Sequence, residues 1–189
     1  MINVGVIGSG AMGSGIAQVA ATAGHTVYLY DNNPAALKRS EDKLAKIMAR
    51  LVEKERVTEG EAKAIQARIQ YVDSLYDFKD PGMIIEAIVE DLEVKRNVFE
   101  QLELMVAPDC IIATNTSSLS IAAIAAVCKD PSRVLGIHFF NPAPLMKLVE
   151  IIPAIQTDST VLEQVREQIK SWGKITVVAK DTPGFIVNR

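Results

Sequence analysis

The chain has 189 residues, of which 49% are hydrophobic, so it is long enough for about one domain with a sizeable core, and a short peptide or a disordered tail is excluded. Lys and Arg number 20 against 23 Asp and Glu, a net charge of -3, which argues against a basic surface for nucleic acid. No apolar stretch approaches the roughly 20 residues that span a bilayer, and no basic leader precedes the first strand pattern, so neither a membrane partner nor a targeting segment is expected.

The first thirty residues have the pattern strand, tight turn, helix, strand. Residues 2–7 form a short apolar run that stops at Gly8, and residues 11–23 carry small and apolar residues at helical spacing. Residues 25–30 are rich in β-forming side chains, and the run closes on Asp31. A complete β-α-β unit is therefore predicted.

The rest of the chain continues to alternate strands with helices. Further strands are predicted at 69–72, 83–87, 110–114, 133–140, 148–152 and 175–179, with a turn at 80–82. Further helices are predicted at 34–56, 92–105 and 160–172. Two more are predicted to begin after a capping box at Thr58 and after a cap at Ser120. This alternation predicts an α/β fold: a Rossmann-like, doubly wound, mostly parallel sheet over residues 1–180, with a helical insertion at about 34–68.

Two cysteines lie in apolar contexts, at Cys110 and Cys128. Neither belongs to a CxxC pair or a His-rich spacing, so neither a disulfide framework nor a metal site is expected. Both are predicted to be reduced core thiols. A cytoplasmic setting follows as the expectation.

The turn after the first strand has the sequence GSGAMG, residues 8–13, and its context makes the GxGxxG pattern specific. Gly8 would allow the tight turn, Gly10 the approach of a pyrophosphate, and Gly13 the packing of helix on sheet; Met12 lies between them. Asp31 would accept hydrogen bonds from the ribose hydroxyls, and no Arg immediately follows it to offset a 2'-phosphate. NAD is therefore predicted over NADP. The alternative is a structural turn with a surface aspartate.

The sequence contains two histidines. His25 starts the second strand and is predicted to be structural. His138 ends an apolar strand, where ligands bind in doubly wound folds, and Glu150 lies among aliphatic residues twelve positions on, where a buried acid needs a partner. A carboxylate on one ring nitrogen would leave the other free to exchange a proton with a substrate oxygen. The alternative is a core histidine beside a surface glutamate.

Polar side chains also follow two of the predicted strands. Asn115 and Ser117 come directly after the strand at 110–114 and could orient a carbonyl or an alcohol. Simple capping of the next helix by Ser118 or Ser120 is the alternative. Asn141, three residues after His138, is a further candidate for substrate binding.

Five segments together match the pattern of one family: GSGAMGSGIAQ, AIVEDLEVK, ATNTSSLSI, GIHFFNPAPLMKLVEII and DTPGFIVNR. Through them, over essentially all 189 residues, the chain resembles the L-3-hydroxyacyl-CoA dehydrogenase family, above all its bacterial 3-hydroxybutyryl-CoA branch. The resemblance implies that His138 is the general base and Glu150 its orienting partner. It also implies that Ser117 and Asn188 hold the substrate oxygen.

The resemblance extends to both ligands. It implies an NAD site along three further residues: Glu90, Lys95 and Asn115. It implies an acyl-CoA substrate, with Lys54 near the coenzyme A portion. Lys46 and Arg50 precede Lys54 at helical spacing and make a basic stripe, for which a solvated helix face is the alternative.

Family members continue past DTPGFIVNR into an all-helical domain that makes a homodimer and closes the acyl pocket. Residues 181–189 are therefore expected to be a linker and the start of a helix, and this chain is expected to bind NAD with weak or absent turnover. Two other functions stay open. One is an NAD-binding structural protein of the crystallin kind, against which the set of catalytic residues argues. The other is a β-hydroxyacid dehydrogenase acting on free acids, which usually relies on a catalytic lysine.

Overall fold

The computed structural model of the chain describes residues 1–187 and contains one eight-stranded sheet. The strands are β1 (Asn3–Ile7), β2 (Thr26–Tyr30), β3 (Ile69–Val72), β4 (Pro81–Glu86), β5 (Ile111–Thr114), β6 (Val134–Phe139), β7 (Leu148–Pro153) and β8 (Ile175–Val178). Their order is β3-β2-β1-β4-β5-β6-β7-β8, and β6 with β7 is the one antiparallel pair among these strands. The predicted mostly parallel sheet is confirmed.

Helices cover both faces of this sheet. They are α1 (Ala11–Thr22), α2 (Pro34–Glu53), α3 (Glu59–Ala67), α4 (Leu92–Met105), α5 (Ile121–Ala125) and α6 (Ser159–Ser171). One apolar core joins α1, α2, α3 and α6 to the sheet, and a second joins α4 and α5 to the opposite face. Strands buried on both faces carry nearly continuous apolar runs, as these do. Within residues 1–187, no helix is long and apolar enough to cross a bilayer.

The helix starts follow from local side chains. Asn33 caps α2 by accepting from the amide of Ala35, and proline stands in the first turn where its missing N–H costs nothing. Thr58 and Glu61 form the predicted capping box of α3, each side chain accepting from the other's backbone amide. Such caps contribute about 1 kcal/mol each to helix stability.

One local prediction was wrong. The turn predicted at 80–82 is shifted, because Pro81 and Gly82 already belong to β4, and the reversal falls at Asp80, whose φ is 41°. Proline is tolerated as the first residue of a strand. Residues 181–187 form turns, with Gly184 and Phe185 at φ of 77° and 50° in the left-handed region, and the helix start expected within 181–189 stays a prediction because residues 188 and 189 lie outside the described part of the chain.

Both cysteines are buried and unpaired, as predicted. Burial raises the pKa of Cys110 to about 12 and that of Cys128 to about 11, so the reactive thiolate is scarce at neutral pH. We expect the folded chain to react slowly with Ellman's reagent, and two thiols to react rapidly once guanidinium unfolds it. Rapid reaction of either thiol in the folded chain would contradict this account of the core.

Candidate active site

The turn between β1 and α1 has the geometry of an anion site. Gly8 has φ of 98°, and a Cβ there would lie 2.5 Å from the carbonyl oxygen of Ala87. A Cβ on Gly13 would lie 1.7 Å from the carbonyl oxygen of Gly8, so helix and turn are in backbone contact. A Cβ on Gly10 would meet no atom within 4 Å, and no side chain caps α1. The free N–H groups of the helix therefore face open space that suits a pyrophosphate.

Asp31 stands beside this turn at the end of β2. Its Oδ2 accepts from the amide of Ser9 at 2.7 Å and from the Ser9 hydroxyl at 2.8 Å, and its Oδ1 accepts from the amide of Asn33 at 2.9 Å. Partial burial raises the pKa of Asp31, but these hydrogen bonds outweigh it, so the net pKa is lowered. The carboxylate is therefore ionised and fixed next to the glycine-rich turn, where it can accept from ribose hydroxyls.

His138 and Glu150 form a buried pair. The antiparallel register of β6 and β7 places the two residues directly opposite each other. The distance from Nδ1 of His138 to Oε2 of Glu150 is 2.7 Å, and the two residues are 5% and 0% exposed. A carboxylate only accepts, so Nδ1 donates to it, and in the neutral imidazole the lone pair is then on Nε2. The alternative of a surface glutamate is thereby excluded.

The second oxygen of Glu150 binds the end of the described chain. Its Oε1 accepts from the amides of Ile186 at 2.9 Å and Val187 at 3.0 Å. The ring of Phe185 lies 5.8 Å from that of His138, edge to face. The segment that leads to Asn188 is thus tied to the His–Glu pair, while Asn188 itself lies outside the described residues.

One cavity of about 310 Å³ brings six of the candidate residues together. It is lined by Met12, Ala87, Ile88, Glu90, Asn115, Ser117, His138, Phe139, Phe140 and Asn141. These residues come from the carboxyl ends of three neighbouring strands, β4, β5 and β6, and from the first turn of α1. Such a crevice is where doubly wound folds bind their ligands. Among residues 1–187, no group of three or more His, Cys, Asp or Glu has the arrangement of a metal site.

The loop after β5 is organised by Glu90. Its Oε1 accepts from the hydroxyl of Thr116 and from the amides of Ser117 at 2.9 Å and Ser118 at 3.2 Å. Although burial raises the pKa of Glu90, these hydrogen bonds and the charge of Lys95 outweigh it, so the pKa is lowered. Ser117 is therefore presented at the cavity by an ionised carboxylate.

Capping does not account for Ser117, because the cap of α5 is Ser120, whose hydroxyl accepts from the amide of Ala123. The side chain of Asn115 ties the same loop to β6, since its Oδ1 accepts from the amide of Phe139 at 2.9 Å. That contact lies one residue from His138. The loop after β5 is thus joined to β6 directly beside the histidine.

Lys95 lies beneath the cavity and not on its surface. It is 1% exposed, and its Nζ is 2.6 Å from Oε1 of Glu86 and 3.5 Å from Oε2 of Glu90. Any effect of Lys95 on a ligand therefore passes through Glu90. Glu86, which also accepts from the hydroxyl of Thr114 at 2.7 Å, was missed in the sequence. Its signal was available, because it is an acid within an apolar strand, as Glu150 is.

A second cleft, of about 390 Å³, runs between α2 and the 141–145 segment. Asn141 lines both this cleft and the cavity at His138. From α2 the cleft receives Ser40, Lys43, Leu44, Ile47 and Leu51. Lys54 is not among the lining residues, but it follows Ile47 and Leu51 on the same helix face at spacings of about two turns and one turn. Lys43 is the α2 cation at the cleft itself, and sequence reasoning did not single it out.

The fold, the glycine-rich turn and the ionised Asp31 define a dinucleotide-binding domain. The sequence matches the family described as "3-hydroxyacyl-CoA dehydrogenase, NAD binding domain" over residues 3–182. The chain belongs to this family.

Named relatives are similar to this chain over its full length. It is 46% identical over 192 residues to the 3-hydroxyadipyl-CoA dehydrogenase of Escherichia coli (strain K12), covering 100% of this chain and 40% of that protein. It is 42% identical over 188 residues to the 3-hydroxybutyryl-CoA dehydrogenase of Clostridioides difficile, covering 100% and 67%. The crystal structure of (S)-3-hydroxybutyryl-CoA dehydrogenase PaaH1 from Ralstonia eutropha has a TM-score of 0.96 to this chain at 40% identity, covering 100% and 67%. The chain thus spans 40 to 67% of the length of these relatives.

Proposed function

We propose that the protein catalyses the reversible, NAD-dependent interconversion of (S)-3-hydroxyacyl-CoA and 3-oxoacyl-CoA, with 3-hydroxybutyryl-CoA and acetoacetyl-CoA as the substrate pair. The observation that carries the proposal is the imidazole of His138, held at Nδ1 by Glu150 and lining the same cavity as Met12 and Ser117. Family membership and the names of the relatives support it.

The residues of the glycine-rich turn fit the cofactor. Gly10 leaves open space where a side chain would otherwise stand, the start of α1 offers N–H groups to a diphosphate, and Asp31 offers a carboxylate to ribose hydroxyls. When bound, NAD supplies the hydride acceptor, and NADH the donor for the reverse direction. Met12, Glu90 and Asn115 line the cavity where its reactive end would lie.

His138 would move the proton. In the oxidative direction Nε2 takes the proton of the substrate 3-hydroxyl, and Glu150 stabilises the imidazolium that forms. In the reductive direction the protonated ring returns the proton to the 3-keto oxygen. Ser117 and Asn188 would hold that oxygen: the Ser117 hydroxyl, which donates to Glu90 at 3.4 Å, would turn its hydrogen to the substrate oxygen and favour the partial negative charge there.

The cleft along α2 would hold the acyl-CoA. Its walls are largely apolar, and it meets the cavity of His138 at Asn141, so a thioester entering along the cleft would deliver its C3 towards the imidazole. Lys43 within the cleft and Lys54 farther along the same helix would supply positive charge for the phosphates of coenzyme A.

Asp31 predicts a preference between the two nicotinamide cofactors. A 2'-phosphate would be repelled by this ionised carboxylate. We expect NADH to bind at least about tenfold more tightly than NADPH, and Asp31→Ala to narrow the gap. Fluorescence titration of the two reduced cofactors measures both. Equal affinity of the unsubstituted chain for the two would refute the assignment of Asp31.

The experiment that tests the function is acetoacetyl-CoA-dependent oxidation of NADH. It would be run on this chain and on an extended form that carries, beyond Arg189, the C-terminal region of the Clostridioides difficile relative. We expect the extended form to oxidise NADH with acetoacetyl-CoA and not with free acetoacetate. No oxidation with the thioester, or equal rates with the free acid, would overturn the proposal.

The proposal also includes an oligomeric state and a cellular compartment. The proposed homodimer would be built by the region beyond Arg189, so size-exclusion chromatography should give a dimer for the extended form. Buried, unpaired Cys110 and Cys128 support a reducing, cytoplasmic setting as part of the proposal.

A further inference from the structure

The segment 141–146, here called the cleft loop, forms one wall of the proposed acyl-CoA cleft and contains no strand or helix. Its carbonyl groups therefore lack the partners that regular structure provides. Within the loop, the carbonyl of Pro142 accepts from the amides of Leu145 and Met146, both at 3.0 Å. These two bonds shape the loop but do not attach it to the rest of the domain.

Lys174, just before β8, makes that attachment. Its Nζ donates to the carbonyl oxygen of Ala143 at 2.6 Å and to that of Met146 at 2.8 Å. Lys174 is 9% exposed, and burial lowers the pKa of its amine. Both partners are neutral carbonyls of the cleft loop, unlike the carboxylates that Lys95 and Lys170 bind. Hydrogen bonds with a charged donor are about twice as strong as neutral ones, so two of them hold the loop firmly.

Helix α1 meets the cleft loop from the other side. A Cβ on Gly15 would lie 3.2 Å from Cβ of Ala143 and 3.2 Å from Cδ of Pro144, so the loop rests directly on the glycine. Ala143 is buried, while Asn141 and Leu145 are exposed. The cleft loop is thus clamped between the helix that bears the glycine-rich turn and the amine of Lys174.

We infer that Lys174 is a positioning residue for the acyl-CoA substrate: it fixes the cleft loop, and through it Asn141, at the junction of the cleft and the His138 cavity. The inference rests on the proposed function, since it assigns to that cleft the role of the thioester site. Lys174 lines neither the cleft nor the cavity, so its effect passes through the loop.

The test replaces Lys174 with methionine, which keeps the length of the apolar stem and removes the N–H donors. In the extended form, we expect Lys174→Met to raise KM for acetoacetyl-CoA about tenfold, while kcat and KM for NADH stay within about twofold. A matched control is Lys170→Met, because Lys170 lies four residues earlier and pairs only with surface Glu167 at 2.8 Å. The control should leave all three constants unchanged.

A purely structural lysine would lower the melting temperature without this split between the two substrates. Should Lys174→Met fail to fold, Lys174→Gln decides the matter, since its shorter side chain is expected to lose the bonds to the carbonyls of Ala143 and Met146 and so to raise KM for acetoacetyl-CoA several-fold while sparing KM for NADH. If the unsubstituted extended form does not turn over acetoacetyl-CoA, the proposed function fails and this inference with it. If it does, and the folded Lys174 variants keep its KM for acetoacetyl-CoA, only the role of Lys174 is overturned.

Discussion

Replacing His138 with glutamine is expected to lower the rate of acetoacetyl-CoA-dependent NADH oxidation by about 10²- to 10⁴-fold, the usual contribution of a general acid or base. Glutamine is similar in size and polar, so it fills the space beside Glu150 without supplying a group that gains and loses a proton near neutral pH. The affinity for NADH should stay within about twofold, because the glycine-rich turn and Asp31, which are proposed to bind the cofactor, do not include His138. Rates in the extended form and NADH titration measure the two quantities.

Two companion variants make this experiment specific. His25→Gln alters the other histidine, which is buried against Ile2 and Trp172 away from the cavity, and should leave the rate unchanged. Glu150→Gln should cost less than His138→Gln but still substantially. Its amide oxygen can accept from Ile186 and Val187, and its NH₂ would then face Nδ1 and favour the wrong tautomer of His138. An unchanged rate in His138→Gln would refute the assignment of the base.

Placing valine at Gly10 is expected to weaken NADH binding by about 10²-fold or more while leaving the melting temperature almost unchanged. The reason lies in the turn itself: a Cβ at Gly10 meets no atom of the protein within 4 Å, so the side chain clashes only with a ligand that approaches the backbone. A matched control is Gly60→Val, because Gly60 also lies near a helix N-terminus and its Cβ would come no closer than 3.9 Å to another residue.

Gly13→Ala should behave in the opposite way. Its methyl would lie 1.7 Å from the carbonyl oxygen of Gly8, so the cost falls on folding before any ligand is added. Thermal melts and NADH titration of the variants at Gly10, Gly13 and Gly60 separate the two effects. Normal NADH affinity in Gly10→Val would show that the cofactor does not approach this turn, and the proposed cofactor site would have to be abandoned.

Much of the fold could be predicted because its signals are local. The bounds of α4 and β3 matched the prediction to the residue, and most other elements shifted by one to three positions. The turn before β4 was misjudged, since it depends on the backbone angle at Asp80, which residue type alone does not dictate.

The site was only partly accessible in this way. Burial arguments paired His138 with Glu150, but the same argument was not applied to Glu86, which holds Lys95 and the β5 end in a fully buried network. Asp181 was seen as part of a turn. Its carboxylate in fact binds the amides of Ile121 and Ala122, both at 2.8 Å, and so links the end of the described chain to the helix after the Ser117 loop.

The amino-acid order by itself determined the alternation of strand and helix, the glycine-rich turn with its acid, and the positions of polar side chains at strand ends. These depend on side-chain period and backbone freedom within a few neighbouring residues. Only the tertiary structure decided the further partners of these groups: Glu150 also accepts from the amides of residues 186 and 187, Glu90 lies 3.5 Å from Lys95, and Lys174 binds the cleft loop. Those contacts join residues far apart in the chain, and sheet order and register bring them within hydrogen-bonding distance.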